Sequence, residues 1–364
     1  METEEVEALR LAAKQFAQRE VDLLVGTEGR DGNLSRLSPL LSQAEEIGLM
    51  ATPYSGSAGF ELGVWGRTGG YVSSLFMLQE LAVSCAGVSA CVHFAGLGAH
   101  ELSHRELDVQ GSVAVALFHP GWRPNWESLA SPPESAPRVA GSELSGRANF
   151  VLSAPGTTQF VVYAEAAGKW SRWLVPRAAQ GVHVAPIRER TGLAALEVLN
   201  LEFSKVPISR LTELPPVTPH AALTRFLLGL SAIAVGNAQG AIARARGYAK
   251  ERYQGGQVID QHPAVRLLIG DAAARVAAAE AHLHGLARRE LRGVGGLWHA
   301  AVAKLRISLD CDQAVTDSLQ VFGGNGYMED YRVEKCLRDS MTIKAAGLNP
   351  NTLRLLCARD PGEL

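Results

Sequence analysis

At 364 residues the chain is too long for one ordinary core and implies two or three packed units. Hydrophobic residues at 47% and charged residues at 20% describe a soluble globular protein, and a net charge of −2 gives no electrostatic case for nucleic acid or an anionic membrane. Five cysteines (Cys85, Cys91, Cys311, Cys336, Cys357), odd in number and set in apolar runs, read as reduced, buried thiols of a cytoplasmic protein. The acidic, helical N-terminus resembles neither a signal nor a transit peptide. Apolar runs such as Phe226 to Val235 are too short to span a bilayer.

From Glu4 to about His104 the pattern is helical. Val6, Leu9, Ala13 and Phe16 mark one face, and a second amphipathic run covers Leu37 to Ile47. A glycine-rich break, Gly48 to Gly63, precedes a helix carrying Leu75, Leu78, Leu81 and Ala82. From Ser112 to Arg210 short β-type runs appear: Val113–Phe118, Phe150–Leu152, Phe160–Ala164, Trp173–Val175 and Val198–Phe203. In the last, Leu199, Leu201 and Phe203 alternate with Asn200 and Glu202, the period of a half-buried strand. Beyond the proline-rich segment Pro215–Pro219 the pattern is almost wholly helical. Runs cover Ala221–Lys250, Pro263–Leu291, Val302–Phe322 and Val333–Lys344. The chain therefore divides into an N-terminal helical domain (1–111), an antiparallel β domain (112–217) and a C-terminal four-helix bundle (218–364), an α+β multidomain fold.

Between the last two helical runs stands Gly323-Gly324-Asn325-Gly326. Glycines at such a break let a backbone approach a bulky ligand, with N–H groups free to meet anionic oxygens. By itself this is an ordinary helix–helix turn. The whole string from Gln320 to Asp339, with Tyr331, Val333, Glu334 and the Arg338-Asp339 pair, closely resembles the C-terminal signature of the acyl-CoA dehydrogenase family. The domain order resembles that family over essentially the full chain. So do Gln79-Glu80-Leu81-Ala82 closing an N-terminal helix and Val206-Pro207 closing the β domain.

The resemblance implies FAD and an acyl-CoA thioester. A carboxylate takes the α proton while the β hydrogen leaves as hydride to the flavin. It also implies where the groups stand. The family's usual base position falls at Gly347, eight residues after Asp339, and the minority position on the long bundle helix falls at Phe226. Neither side chain accepts a proton. The loop that grips the flavin through Thr and Ser corresponds to Phe118–Asn125, so those hydroxyls become Phe118 and Pro124. The strand that stacks on the flavin corresponds to Phe150-Val151-Leu152, which keeps an aromatic and loses a hydroxyl. Groups that serve a neighbouring subunit's FAD are kept. They are Arg252 and Gln254 in Glu251–Gly256, with Gln320, Gly323 and Gly324 in the signature. Asn349, beside the altered base turn, joins Phe150 as a further implied cofactor contact.

Three classes of function follow. One is a base-lacking subunit working with a catalytic paralogue in a homo- or hetero-tetramer, with electron-transfer flavoprotein as an acceptor. The second is a self-sufficient flavoenzyme with a different base, for which His119 qualifies by its titration range. The third is a non-catalytic binding protein of the same fold. His100-Glu101-Leu102-Ser103-His104 has the spacing of a zinc-binding helix, but no third ligand stands out and a surface helix end accounts for it. Arg288, Arg289 and Arg292 read as a solvated face, and His282 and His284 point to different helix faces.

Overall fold

The computed structural model describes residues 3–26, 36–51, 63–66, 70–102, 111–121, 129–291 and 296–359. The N-terminal region is helical: α1 (Thr3–Phe16), a π turn (Ala17–Val21), α2 (Asp22–Gly26), α3 (Leu37–Glu46), α4 (Gly70–Ser84) and α5 (Ala86–Leu102). α5 is apolar around its whole circumference and buried from Ala86 to Ala99, which makes it a central rather than a surface helix.

Eight strands follow in one sheet: β1 (Ser112–Ala116), β2 (Arg138–Ala140), β3 (Glu143–Ser153), β4 (Thr157–Ala166), β5 (Lys169–Pro176), β6 (Val182–Pro186), β7 (Glu197–Pro207) and β8 (Thr212–Leu214). The order is β6-β7-β3-β2-β4-β5-β8, with β1 added on β4. The sheet is mixed rather than purely antiparallel, because β1 and β2 both run parallel to β4. No tight hairpin joins either of them to β4, so turn geometry does not set their direction. The continuous apolar stretch of β4 explains the layering. Phe160, Val162 and Ala164 enter the core on one face of the sheet. Val161 and Tyr163 face the large helical core on the other. A strand covered on both sides loses its polar alternation.

The C-terminal region is a bundle of α6 (His220–Glu251), α7 (Pro263–Leu291), α8 (Leu297–Val321) and α9 (Val333–Ala345), closed by α10 (Pro350–Cys357). One α6 window is long and apolar enough to cross a membrane, but 89% of it is buried inside the protein. Close packing of α6 on α4 depends on Gly236, where an added Cβ would lie 2.1 Å from the Gln79 carbonyl oxygen. The bundle is not wholly helical. A small hairpin, β9 (Tyr253–Gln254) and β10 (Gln257–Val258), joins α6 to α7. Gly255 and Gly256, at φ +66° and +85°, supply the left-handed turn it needs.

Glu101, at the end of α5, ties the three regions together. Its carboxylate is 4% exposed and pairs with Arg172 of β5 at 2.6 Å and Arg225 of α6 at 3.6 Å. Tyr163 of β4 donates its hydroxyl to it at 2.8 Å. Arg172 also donates to the Pro215 carbonyl, in the link from sheet to bundle. The zinc-like spacing thus does not mark a surface helix end. Its glutamate is a buried ion-pair centre, and no group of three metal-ligating side chains exists among the described residues. His104 and Arg292 lie outside the described residues, while Arg288 and Arg289 are exposed as read from the sequence.

Removing Glu101 would leave two guanidinium groups and a phenol facing a site without their acceptor. Glu101→Ala is expected to lose about 3 kcal/mol or more of stability. Chemical denaturation checks this, and a loss within the range of a surface pair would show that the junction carries no such weight.

Candidate functional site

A cavity of about 800 Å³ opens between the sheet and the last two helices. Most of its wall comes from three stretches: the segment after β1 (Phe118–Gly121), the middle of β3 (Asn149, Phe150, Leu152), and the α9–α10 loop (Ala345–Asn349). Among the described residues lining it, none is an aspartate or glutamate.

Gly347 stands in the loop at φ +76°, a conformation that suits glycine. A Cβ built there would lie 2.5 Å from Cε1 of Phe226. The two places where the sequence comparison put a base are therefore in contact, and one fills the space next to the other. The Phe226 ring is buried, 5.0 Å from Phe94 and edge-on to Phe118 at 5.4 Å. Phe118, standing where the family has a hydroxyl, extends this aromatic group to the cavity wall. Pro124 lies outside the described residues.

Phe150 sits at a bulge in β3 with φ 53° and its side chain 61% exposed. A non-glycine residue in that conformation is held by its surroundings. Its N–H donates to Asn200 Oδ1 at 3.3 Å, and the preceding Asn149 N–H donates to the Phe118 carbonyl at 2.8 Å. Asn349 lines the cavity too, but its side chain is engaged locally, accepting from the N–H groups of Asn351 and Thr352 to cap α10. His119 is buried at the rim, with Nδ1 3.0 Å from the Ser135 hydroxyl. Burial lowers its pKa to about 4. Its ring is neutral at pH 7, but it does not titrate in the range that suggested a general base.

Arg252, Gln254, Gln320, Gly323 and Gly324 lie elsewhere, at the opposite end of α9 from the cavity. All five are exposed. Packing explains why they meet: Phe322 stacks on Tyr248 at 4.4 Å, with Tyr331 against both rings, so the ends of α6 and α8 are locked together. Gly323 takes φ +58°, and space above it and Gly324 is open to at least 4 Å from a built Cβ. Thirteen residues of α9 separate this cluster from the cavity loop, about 20 Å at helical rise.

Two polar groups escaped the sequence reading. Arg190 lines the cavity, yet its guanidinium is committed to the carbonyls of Ile187, Ala194 and Leu196. Lys304, on α8, is fully buried, and its Nζ donates to the Ile343 carbonyl at 2.8 Å and the Lys344 carbonyl at 3.5 Å. It therefore caps the C-terminus of α9 where the cavity loop begins. A lysine in the apolar stripe Ala300, Ala303, Ile307, Cys311 was the available signal.

Residues 220–359 match the model of the acyl-CoA dehydrogenase C-terminal domain. Subunit CarC of the caffeyl-CoA reductase–Etf complex of Acetobacterium woodii is 31% identical over 206 residues, 54% of each chain. The match thus spans about half the length of that relative. The 3-(aryl)acrylate reductase of Clostridium sporogenes is 24% identical over 358 residues, 94% of each chain. Among solved structures, a glutaryl-CoA dehydrogenase of Mycobacterium smegmatis in complex with FADH2 superposes with a TM-score of 0.82 at 15% identity, covering 98% of this chain and 94% of that one. A mixed sheet between two helical regions, with a cavity where sheet and bundle meet, is the acyl-CoA dehydrogenase fold. Residues 220–359 carry the family's C-terminal domain, and the chain as a whole has the acyl-CoA dehydrogenase fold.

Two outcomes are expected from this geometry. Gly347→Glu would force a side chain into a left-handed backbone and against the Phe226 ring, at a cost of about 2 kcal/mol or more. Phe226→Ala in the same chain should relieve part of that cost, so the double variant is less destabilised than the sum of the singles; additive losses would show that the two positions are not in contact.

Burial also depresses the Lys304 pKa to about 7 from the ordinary 10.5. Between these values the unfolded chain holds a proton that the folded chain has released, so this site makes stability rise with pH across that window. Stability curves of wild type and Lys304→Met should diverge there, and parallel curves would refute the assignment.

Proposed function

We propose that this chain is a base-lacking flavoprotein subunit, serving FAD-linked α,β-dehydrogenation of an acyl-CoA thioester in a hetero-oligomer with a catalytic paralogue. The observation that carries the reading is the Gly347–Phe226 contact in a cavity whose described lining holds no carboxylate. A positioned general base contributes roughly 10²–10⁴-fold to such a reaction. FAD supplies the hydride acceptor when bound.

The residues fit FAD unevenly. In the cavity, Phe150 offers an aromatic face, but Phe118 and Leu152 replace hydrogen-bonding groups and Asn349 caps a helix. At the far end of α9 the fit is better. Arg252 has an exposed guanidinium for a pyrophosphate, and the open glycine turn lets backbone N–H groups approach. Gln254 and Gln320 flank it. These groups would hold FAD seated mainly on the partner chain, which requires a dimer or tetramer. An electron-transfer flavoprotein as acceptor and a cytoplasmic setting complete the proposal; a relative named as an Etf-complex subunit favours that acceptor. His119 as a substitute base is the weaker reading, because a group with a pKa near 4 has little pull on a proton at pH 7.

Co-expression with a glutamate-bearing paralogue tests this. The chain alone should show turnover about 10²–10⁴-fold below the complex. In the complex, Arg252→Ala should lower FAD retention while leaving assembly intact. Robust turnover by the single chain would refute the base-lacking reading. Unchanged FAD content in Arg252→Ala would refute the donated grip.

A further inference from the structure

We propose that Asn149 is a flavin-contacting residue, whose side-chain amide takes the donor–acceptor edge of the flavin's pyrimidine ring through a pair of hydrogen bonds. The inference rests on the reading of this chain as a flavoprotein. It adds a directed polar contact within the chain's own cavity, at a position no sequence motif marks.

β3 changes its geometry at this point. Successive residues of a regular strand face opposite sides of the sheet, yet Asn149 and Phe150 both line the cavity. The bulge is the cause: pairing with β7 shifts between Ala148 and Val151, and Phe150 takes φ 53°. Bulges re-aim side chains and recur beside active sites. Both backbone donors of the bulge are spent within the protein, the Asn149 N–H on the Phe118 carbonyl at 2.8 Å and the Phe150 N–H on Asn200 Oδ1 at 3.3 Å. The chain is thus anchored on either side of the Asn149 amide. A left-handed phenylalanine is a strained feature, and what it achieves here is a ring and an amide on one wall.

Most other polar side chains of the lining are committed. Arg190 holds three carbonyls, Thr342 donates to the Arg338 carbonyl, His119 meets Ser135, Asn349 caps α10 and Asn351 accepts from Arg354. Half-buried Asn149 makes no side-chain hydrogen bond among the described residues, and the Thr352 hydroxyl on the opposite wall is the other such group. A hydroxyl rotates and offers one donor. An amide presents two donors on nitrogen beside an acceptor oxygen, in one plane. Its complement is a ligand edge with an acceptor and a donor side by side. The flavin pyrimidine carries that edge at its N3–H and flanking carbonyls, on a flat ring whose face Phe150 can cover. The amides of a CoA arm are trans, with N–H and C=O pointing to opposite sides, so each could meet only one group of Asn149.

The test titrates the purified full chain with FAD and with N3-methyl-FAD, followed by flavin absorbance and fluorescence, and with coenzyme A by calorimetry. Wild type should bind FAD roughly tenfold tighter than N3-methyl-FAD, because methylation removes the donor and blocks the edge. Asn149→Leu should weaken FAD roughly tenfold and leave N3-methyl-FAD nearly unchanged. Whatever Arg252 adds through the pyrophosphate cancels between the two flavins. Asn149→Asp, equal in size but without the amide donors, repeats the comparison should the leucine variant melt early. Equal losses for both flavins, no loss for either, or a loss confined to coenzyme A would overturn the assignment and leave the base-lacking reading standing. Absence of flavin uptake by the wild-type chain alone would overturn it too, while the donated grip would still be read in the two-chain complex.

Discussion

The constraint on which the rest of this molecule depends is a single buried carboxylate. Glu101 meets Arg172, Arg225 and the Tyr163 hydroxyl at a point where N-terminal helices, sheet and bundle converge. Taking such charges out of water costs several kcal/mol per ion, so the cluster is a weak source of net stability. Its geometry is demanding instead. A slide of the sheet against the bundle would separate Glu101 from one partner while leaving the other charges buried. Arg225 is one residue before Phe226, so the same contact that fixes the domains fixes the ring under the cavity. A second lock acts from the other side, where Asp339 accepts from the Leu193 N–H at 2.6 Å and Arg338 donates to the Thr191 carbonyl.

Within that frame, Gly347 and Phe226 form one structural unit. The glycine adopts a backbone that a glutamate would occupy only with strain, and the phenylalanine fills the room. The α9 end that carries this loop is held by Lys304, whose Nζ faces carbonyls rather than a counter-ion. The Gly347–Phe226 contact is therefore built into packing on three helices, α6, α8 and α9.

Much of the fold was legible because it is periodic. The stripe from Val265 to Leu286 fixed α7, which runs Pro263–Leu291 as its pattern indicated. The alternation at Leu199, Leu201 and Phe203 marked β7 for the same reason. Strand direction was not legible, because β1 and β2 join β4 through long connections and no turn residue records which way they run. Nor was the role of Glu101, whose partners lie 71 and 124 positions on along the numbering. The site was read in part. Sequence comparison found Gly347 and Phe226 as separate absences, and only the folded chain brings them into contact. It also placed Asn349 among cofactor contacts, although this side chain caps α10. His119 was chosen for an ordinary histidine pKa, which burial removes.

The two ends of α9 differ in kind, and that difference constrains any account of the chain. At the loop end, the cavity is lined mainly by rings and aliphatic groups, and the Arg190 and Asn349 side chains are engaged by the protein itself. At the signature end, Arg252, Gln320 and the glycine turn are exposed, while the Tyr248–Phe322–Tyr331 cluster beneath them is tightly packed. Rigid support under solvent-facing polar groups is the arrangement of a surface shaped for something outside the chain. A self-contained flavoenzyme would need the loop end intact as well. A mostly apolar cavity at one end and exposed polar groups at the other are what the proposed role, completing another chain's site, requires.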